Sequence, residues 1–227
     1  MADPGPEVSF RRYAPGDIPA CARLAREAWP AHEDVAAEYS EQTGMEGYME
    51  YSLSVSNYTE IATTPEGVVG FLFGRIDGYP GKPIERQSTL GELPSLVRSS
   101  LERDQSLKSM LGFLWSIFMT DLKLMIKMPK SDASIEMFIV DSGHRGRGIG
   151  TQLMDRFLRA AADTGARLVT LYTDDRMSNW EFYERKGFHR VGTFHDNITS
   201  HYGGAAARGI IYAKELDGDA KPGQGRP

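Results

Sequence analysis

The stretch that most constrains the fold is Asp141-Ser142-Gly143-His144-Arg145-Gly146-Arg147-Gly148-Ile149-Gly150-Thr151. A β-rich apolar run, Ser134–Val140 (SIEMFIV), precedes it, and an amphipathic run, TQLMDRFLRAAADTGA, follows it. Strand, glycine-rich turn and helix in this order form the first half of a crossover unit, which commits the chain to a sheet covered by helices. At such a turn the free backbone N–H groups and the helix dipole favour an anion. The glycines allow a phosphate to approach the backbone, and Arg145 and Arg147 add positive charge. No Gly-Lys-Ser/Thr follows, so this is not a Walker loop. Counted from Gly146 or Gly148, the third glycine of a dinucleotide fingerprint is missing. An ordinary glycine-rich strand-to-helix turn is the alternative that these residues alone leave open.

The rest of the chain reads around that unit. Val8–Tyr13 is expected to be a strand, followed by a helix capped at Asp17 or a neighbour and stopped by Pro30. Residues 33–52 read as a second helical region, interrupted at Gly44 and Gly47. Strands are expected at Tyr58–Thr63 and Val68–Asp77, joined by Thr64-Pro65-Glu66-Gly67. A helical insertion spans about 78–131, with a long helical pattern over about 92–128. From Met110 its apolar residues run nearly all round the helix, which implies burial on two sides, in the core or at a homodimer contact. After the glycine loop, Leu153, Met154, Phe157, Leu158 and Ala161 mark a buried helix face. Leu168–Thr173 reads as a strand, residues 178–186 as a short helix, and Phe188–Phe194 and Gly209–Leu216 as closing strands. The expectation is one α/β domain over residues 8–216, a central mixed sheet flanked by helices. The ends, 1–7 and 217–227, are rich in Gly, Pro and charge and are expected to be disordered.

Composition excludes several classes. A net charge of −5 argues against a protein that coats nucleic acid. Cys21 is the only cysteine, which rules out intramolecular disulfides and Cys-based zinc sites. His32, His144, His189, His195 and His201 show no metal-ligand spacing, so no metal is expected. The start, MADPGPEVSF, lacks the basic and apolar segments of a signal peptide, and Met110–Thr120 is too short to span a bilayer. A soluble, cytoplasmic protein with no membrane association is the expectation.

Two segments together carry a resemblance. Arg145-x-x-Gly148-x-Gly150 matches the Arg/Gln-x-x-Gly-x-Gly/Ala pyrophosphate loop of the GNAT acetyltransferase superfamily, and the strand and helix around it look like that family's cofactor-binding core. Asn179-Trp180-Glu181-Phe182-Tyr183-Glu184-Arg185-Lys186-Gly187-Phe188 is similar to the family's signature that runs from an Asn to Tyr-Glu-x-x-Gly-Phe. The two matches cover roughly residues 134–190. The insertion departs from the family pattern, standing where the family usually has a short hairpin connection.

The resemblance implies an N-acetyltransferase whose donor, acetyl-CoA, wedges between the strands Ile135–Val140 and Leu168–Thr173. The pantetheine arm would pair with backbone groups of Phe138, Ile139 and Val140. The pyrophosphate would sit on the amides of Arg145, Gly146, Arg147, Gly148, Ile149, Gly150 and Thr151, and Asn179 would contact the donor. Tyr183 matches the family's general acid for the leaving thiolate; packing of a helix onto the sheet is its other reading. The Val140 N–H would polarise the thioester carbonyl. Two carboxylates compete for the base, Glu136 on the donor strand and Asp174 at the end of the next. Side-chain alternation would put Glu136, Phe138 and Val140 on one face and Ile135, Met137 and Ile139 on the other. Asp174 and Asp175 read equally as solvated strand-end charges.

The acceptor would be a small-molecule or peptide amine. Residues 31–66 hold eight carboxylates (Glu33, Asp34, Glu38, Glu41, Glu46, Glu50, Glu60, Glu66) and no Lys or Arg. That fits a cationic acceptor, or equally a solvated helix face. Tyr39, Tyr48, Tyr51 and Tyr58 could line a pocket or pack. A CoA-binding regulatory domain without turnover and an acyltransferase using a longer donor or a protein lysine are the competing functions.

Overall fold

The computed structural model describes residues 7–30, 41–83, 115–116, 119–120, 122–176, 178–202 and 206–216. The strands are β1 (Ser9–Arg11), β2 (Tyr58–Thr64), β3 (Gly67–Ile76), β4 (Ala133–Val140), β5 (Leu168–Asp174), β6 (His189–Asp196) and β7 (Ala207–Glu215). They form one sheet in the order β1-β2-β3-β4-β5-β7-β6. Only β4 and β5 run parallel; every other neighbouring pair is antiparallel. The single parallel pair is the one joined through the glycine loop and helix, because only a crossover can return the chain to the same edge in the same direction.

Helices α1 (Ile18–Ala28) and α2 (Glu41–Ser54) cover one face. Cys21, Leu24, Ala25, Met49 and Leu53 pack there with Ile61, Phe71, Phe73, Met137 and Ile139 of the sheet. Helix α3 (Ile149–Asp163) covers the other, burying Ile149, Leu153, Met154, Phe157 and Ala161 against Leu72, Ile135, Val169 and Leu171. The expected apolar stripe of α3 is therefore the buried one, with Leu158 at its margin and Ile149 added. The short helix α4 (Trp180–Arg185) joins the α3 side through Trp180, Phe182 and Tyr183.

Two expectations change. Gly44 and Gly47 do not interrupt α2, which runs unbroken from Glu41 to Ser54; packing of Met49 and Leu53 against α1 and the sheet outweighs the poor helix propensity of glycine. A further short helix, α5 (Asn197–Tyr202), stands between β6 and β7. Its cap is Asp196, whose carboxylate accepts from the Thr199 amide at 3.0 Å and the Thr199 hydroxyl at 2.7 Å. Most of the insertion, with residues 31–40 and the expected disordered ends apart from Glu7, lies outside the described residues. Its final turns, residues 122–127, are helical. They lie along the free edge of β6, where Lys123 donates to the His195 carbonyl at 2.9 Å and Lys127 to that of Thr193 at 3.0 Å. Lysine ammonium groups thereby satisfy edge carbonyls that would otherwise be open to another strand.

Candidate active site

The site begins where the sheet comes apart. β4 and β5 pair only at Ala133–Val169, Ser134–Thr170 and Ile135–Leu171. Beyond those residues β4 continues to Val140 and β5 to Asp174 without pairing to each other, so a gap opens between two central strands. The Asp141 amide donates to the Val69 carbonyl at 2.9 Å, back toward β3. Backbone polar groups alternate in direction along a strand, so Ile139 also faces β3, and Phe138 and Val140 face the gap. The Val140 carbonyl accepts there from Arg145 Nε at 3.3 Å. Of the three residues expected to pair with the donor, two turn their backbone groups to the gap; Ile139 is paired across to Phe71.

Lower on β4 a bulge intervenes. Met137 opposes Phe73 and Ile135 opposes Gly74, which leaves Glu136 as the extra residue. The bulge breaks the simple alternation expected of this strand. Ile135 packs on the α3 side, whereas Met137 and Ile139 pack on the α1 side. Phe138 and Val140 join the α3 side. Glu136 therefore does not share their face; its carboxylate accepts a hydrogen bond from the Ser134 hydroxyl, and the side chain is half-buried.

The glycine loop closes the mouth of the gap. Gly146 and Gly148 have φ of 76° and 78°, a left-handed backbone that L side chains rarely adopt. The first helical bond of this turn runs from the Gln152 amide to the Gly148 carbonyl at 2.9 Å, so the preceding amides have no partner within α3. A Cβ on Gly150 would lie 3.2 Å from Phe138 Cζ and 3.4 Å from Val140 Cγ2, which explains why the first turn of α3 can press directly onto the gap residues of β4. Arg145 and Arg147 are exposed on this loop. Asp141 starts it: burial opposes its ionisation, but His144, at 3.1 Å, and the Gly143 amide outweigh that and hold its carboxyl below the usual range.

Tyr183 on α4 packs beside Phe138 of β4. Its ring lies among those of Phe138, Phe182, Phe188 and Tyr212, with centroids 5.8–6.3 Å away. Burial, and secondarily the charge of Asp174, pushes its hydroxyl well above the usual phenol range. Asp174 is itself 6% exposed, so it is not a solvated strand-end charge. One of its oxygens accepts from the Arg176 amide at 2.8 Å, and its carbonyl accepts from Ser178. Asp175 is exposed and accepts from the Arg208 amide at 2.9 Å.

A parted parallel pair, a glycine loop with free amides at its mouth and a tyrosine beside it coincide with a sequence match. Residues 77–188 match the Acetyltransferase (GNAT) family. The chain carries a GNAT acetyltransferase domain. No curated protein matches the sequence. Among solved structures, the fold is similar to the ribosomal-protein-S18-alanine N-acetyltransferase from Escherichia coli, at 11% identity and TM-score 0.55, over 96% of this chain and 99% of that one. It is similar to Ard1 from Thermoplasma volcanium, at 17% identity and TM-score 0.52, over 92% and 97%. An aminoglycoside 6′-N-acetyltransferase complexed with coenzyme A is similar at 17% identity and TM-score 0.50, over 91% and 96%.

Around the GNAT gap, the fold adds two groupings, the first of which brings together Arg145 and Asn179, both expected at the donor site. A cavity of about 360 Å³ is lined by Arg145, Ser178, Asn179, Trp180 and Glu181. Asn179 stands at the N-cap of α4 but makes no capping hydrogen bond with its side chain. On the other side of the gap, Tyr172 on β5 donates to Asp196 at 3.3 Å. Burial pushes the Tyr172 hydroxyl well above its usual value, and Tyr48, Asp196 and Asp174 add to this. Asp196 had a legible signal, an Asp three residues before Thr199 at a helix start; the meeting of β5, β6 and α2 had none.

Several candidates fall elsewhere. Glu60, one of the eight carboxylates, is buried on the α3 side, where it accepts from Arg156 Nε at 2.6 Å and from the Tyr58 hydroxyl. Tyr58 is core; Tyr48 and Tyr51 are exposed. Tyr39 lies outside the described residues. Cys21 is buried, and desolvation pushes its thiol up to about 12. Among the described residues, no group of three His, Cys, Asp or Glu could hold a metal, and no helix is long and apolar enough to cross a membrane.

Proposed function

We propose that this chain is an acetyl-CoA-dependent N-acetyltransferase acting on a primary amine by direct attack within a ternary complex. The observation that carries this reading is the gap between β4 and β5, with backbone groups of Phe138 and Val140 directed into it and unpaired amides of residues 148–151 at its mouth. An extended thioester arm can continue the sheet in that gap, and a pyrophosphate can accept from the amides. The donor supplies an activated acyl group; the protein must orient it, take a proton from the amine and return one to the thiolate.

The Val140 N–H is the candidate donor to the thioester oxygen as charge develops on it. Glu136, on the α1 side of the bulge, is the candidate base, and Asp174 the alternative. The amine nitrogen bonds to the acyl carbon as the carbon–sulfur bond breaks, Glu136 takes the amine proton, and Tyr183 gives its hydroxyl proton to sulfur. Because burial keeps that hydroxyl protonated, the role open to Tyr183 is donor rather than base. It gives no reason for an alkaline limb in the ordinary working range. The acceptor is proposed to be a small-molecule or peptide amine entering on the α1–α2 side, where Tyr172, Asp174 and Asp196 cluster.

The test compares turnover against pH for Tyr183→Phe and Glu136→Gln on one reactive amine. Tyr183→Phe should lower turnover about 10²–10⁴-fold with CoA affinity nearly unchanged. Glu136→Gln should lose rate at neutral pH and recover as rising pH supplies neutral amine. Nearly full turnover by Tyr183→Phe would return that residue to packing. CoA binding without turnover on any amine would favour a regulatory domain.

A further inference from the structure

Among the described residues, the cavity beside Arg145 is the feature that the gap and the glycine loop leave unexplained. Arg145 belongs to both sites: its Nε donates into the end of the gap at Val140, 3.3 Å away, and its side chain lines the cavity. Ser178, Asn179, Trp180 and Glu181 complete its lining. At about 360 Å³ the cavity is at the low end of the ~300–1,000 Å³ typical of small-molecule clefts.

The Trp180 ring is held by a cation. The Arg190 guanidinium lies over it, 4.4 Å from the ring centroid, and Arg190 does not line the cavity. Arg190 is itself held by Glu184 at 2.8 Å and by the Tyr212 hydroxyl at 3.1 Å, and that hydroxyl donates to Glu184 at 3.0 Å. A tryptophan that lines a cleft and is held by a tethered cation over its ring offers a stacking surface for a flat ring. The polar rim suits a purine as well, since Glu181 can accept from an exocyclic amine.

We propose that Trp180 is the platform on which the adenine ring of the donor nucleotide stacks, and that it contributes to the choice of a nucleotide-bearing donor over its pantetheine fragment. The inference rests on the acetyl-CoA reading above, because the phosphates must leave the loop beside Arg145 for the base to reach the cavity. Trp180 is a binding residue here, one helical turn before Tyr183, and takes no part in the proton transfers.

Calorimetry on the full chain with CoA, dephospho-CoA and 4′-phosphopantetheine tests it in wild type, Trp180→Ala and Trp180→Phe. Base–aromatic stacking predicts that Trp180→Ala binds CoA and dephospho-CoA roughly 5- to 100-fold more weakly. 4′-Phosphopantetheine should bind the variant as it binds wild type, and Trp180→Phe should recover most of the loss. Unchanged binding of all three ligands by Trp180→Ala overturns the proposal. So does an equal loss for all three, which marks a structural role, or a loss confined to CoA, which marks a contact to its 3′-phosphate. If wild type binds none of the ligands, the acetyl-CoA reading falls and takes this one with it. Binding of all three with no Trp180 effect removes only the platform.

Discussion

Asp17 is 7% exposed at the start of α1, and its charge is matched from two directions. Arg11 on β1 meets both its oxygens at 2.7 Å, and the Ala14 amide donates to it at 2.8 Å. The Arg11 hydrogen bond is the largest influence on the carboxyl; burial opposes it, and the net effect holds the group below its usual value. A depressed carboxyl contributes stability that is present above its unfolded-state value and lost as pH falls through its folded one. Asp17→Asn should therefore cost about 1–2 kcal/mol at pH 7, near the lower end for charged hydrogen bonds because Arg11 is partly exposed. Urea midpoints at pH 7 and near pH 3 check this: the gap between variant and wild type should narrow in acid. A gap that does not change with pH would mean that the carboxylate charge contributes nothing. The same residue defines the limit of a sequence reading. Asp17 is legible as a helix-start residue, yet its side chain caps the turn at Ala14 and makes no capping bond to α1. It ties β1 to the loop, through a partner that spacing alone does not reveal.

At the scale of elements, the bulge on β4 decides where the candidate base goes, and Gly74 supports it from β3. A Cβ at Gly74 would fall 2.5 Å from Phe157 Cε2 and 2.7 Å from the Ser134 carbonyl. Neither is the free end of a flexible chain: Phe157 is fully buried and Ser134 O is backbone. Gly74→Ala should cost about 1–3 kcal/mol as an overpacked core change. By moving the strand that carries Ser134 and Glu136 it should also lower turnover more than donor affinity. Gly16→Ala, where a Cβ meets nothing within 4 Å, is the comparison and should stay within about 0.5 kcal/mol. Denaturant midpoints and initial rates for both variants check the pair; equal midpoints would remove the packing argument. The strands and α3 were legible because their apolar spacing is local. The bulge was not, since one extra residue leaves SIEMFIV reading as unbroken alternation. The burial of Asp174 was also hidden, because its neighbours come from β7 and the following loop, and no local pattern encodes a long-range partner.

For the whole molecule, the proposed donor site joins parts far apart in the chain, so its occupancy should appear as global stability. The gap needs β4 held by β3 and β5 held by β7, while its mouth needs the loop and α3. A ligand that binds only this assembled state raises the unfolding free energy by mass action, about 2.7 kcal/mol at a hundredfold excess over Kd. For a chain of this size each kcal/mol moves Tm by roughly 2–4 °C, so CoA and acetyl-CoA should raise it by roughly 5–10 °C. Pantetheine without phosphate should do far less at the same concentration, because the amides after Gly148 would have no anion to meet. Equal shifts from both ligands would sink the phosphate-loop assignment while leaving the fold untouched. Gly148→Val separates the loop from the rest of the arm. At φ 78° a β-branched residue is strained even though its Cβ would meet nothing within 4 Å. The variant should therefore start from a lower Tm and gain less from CoA than wild type does. If it starts lower but gains as much, the loop bears on folding alone and the phosphates are held elsewhere.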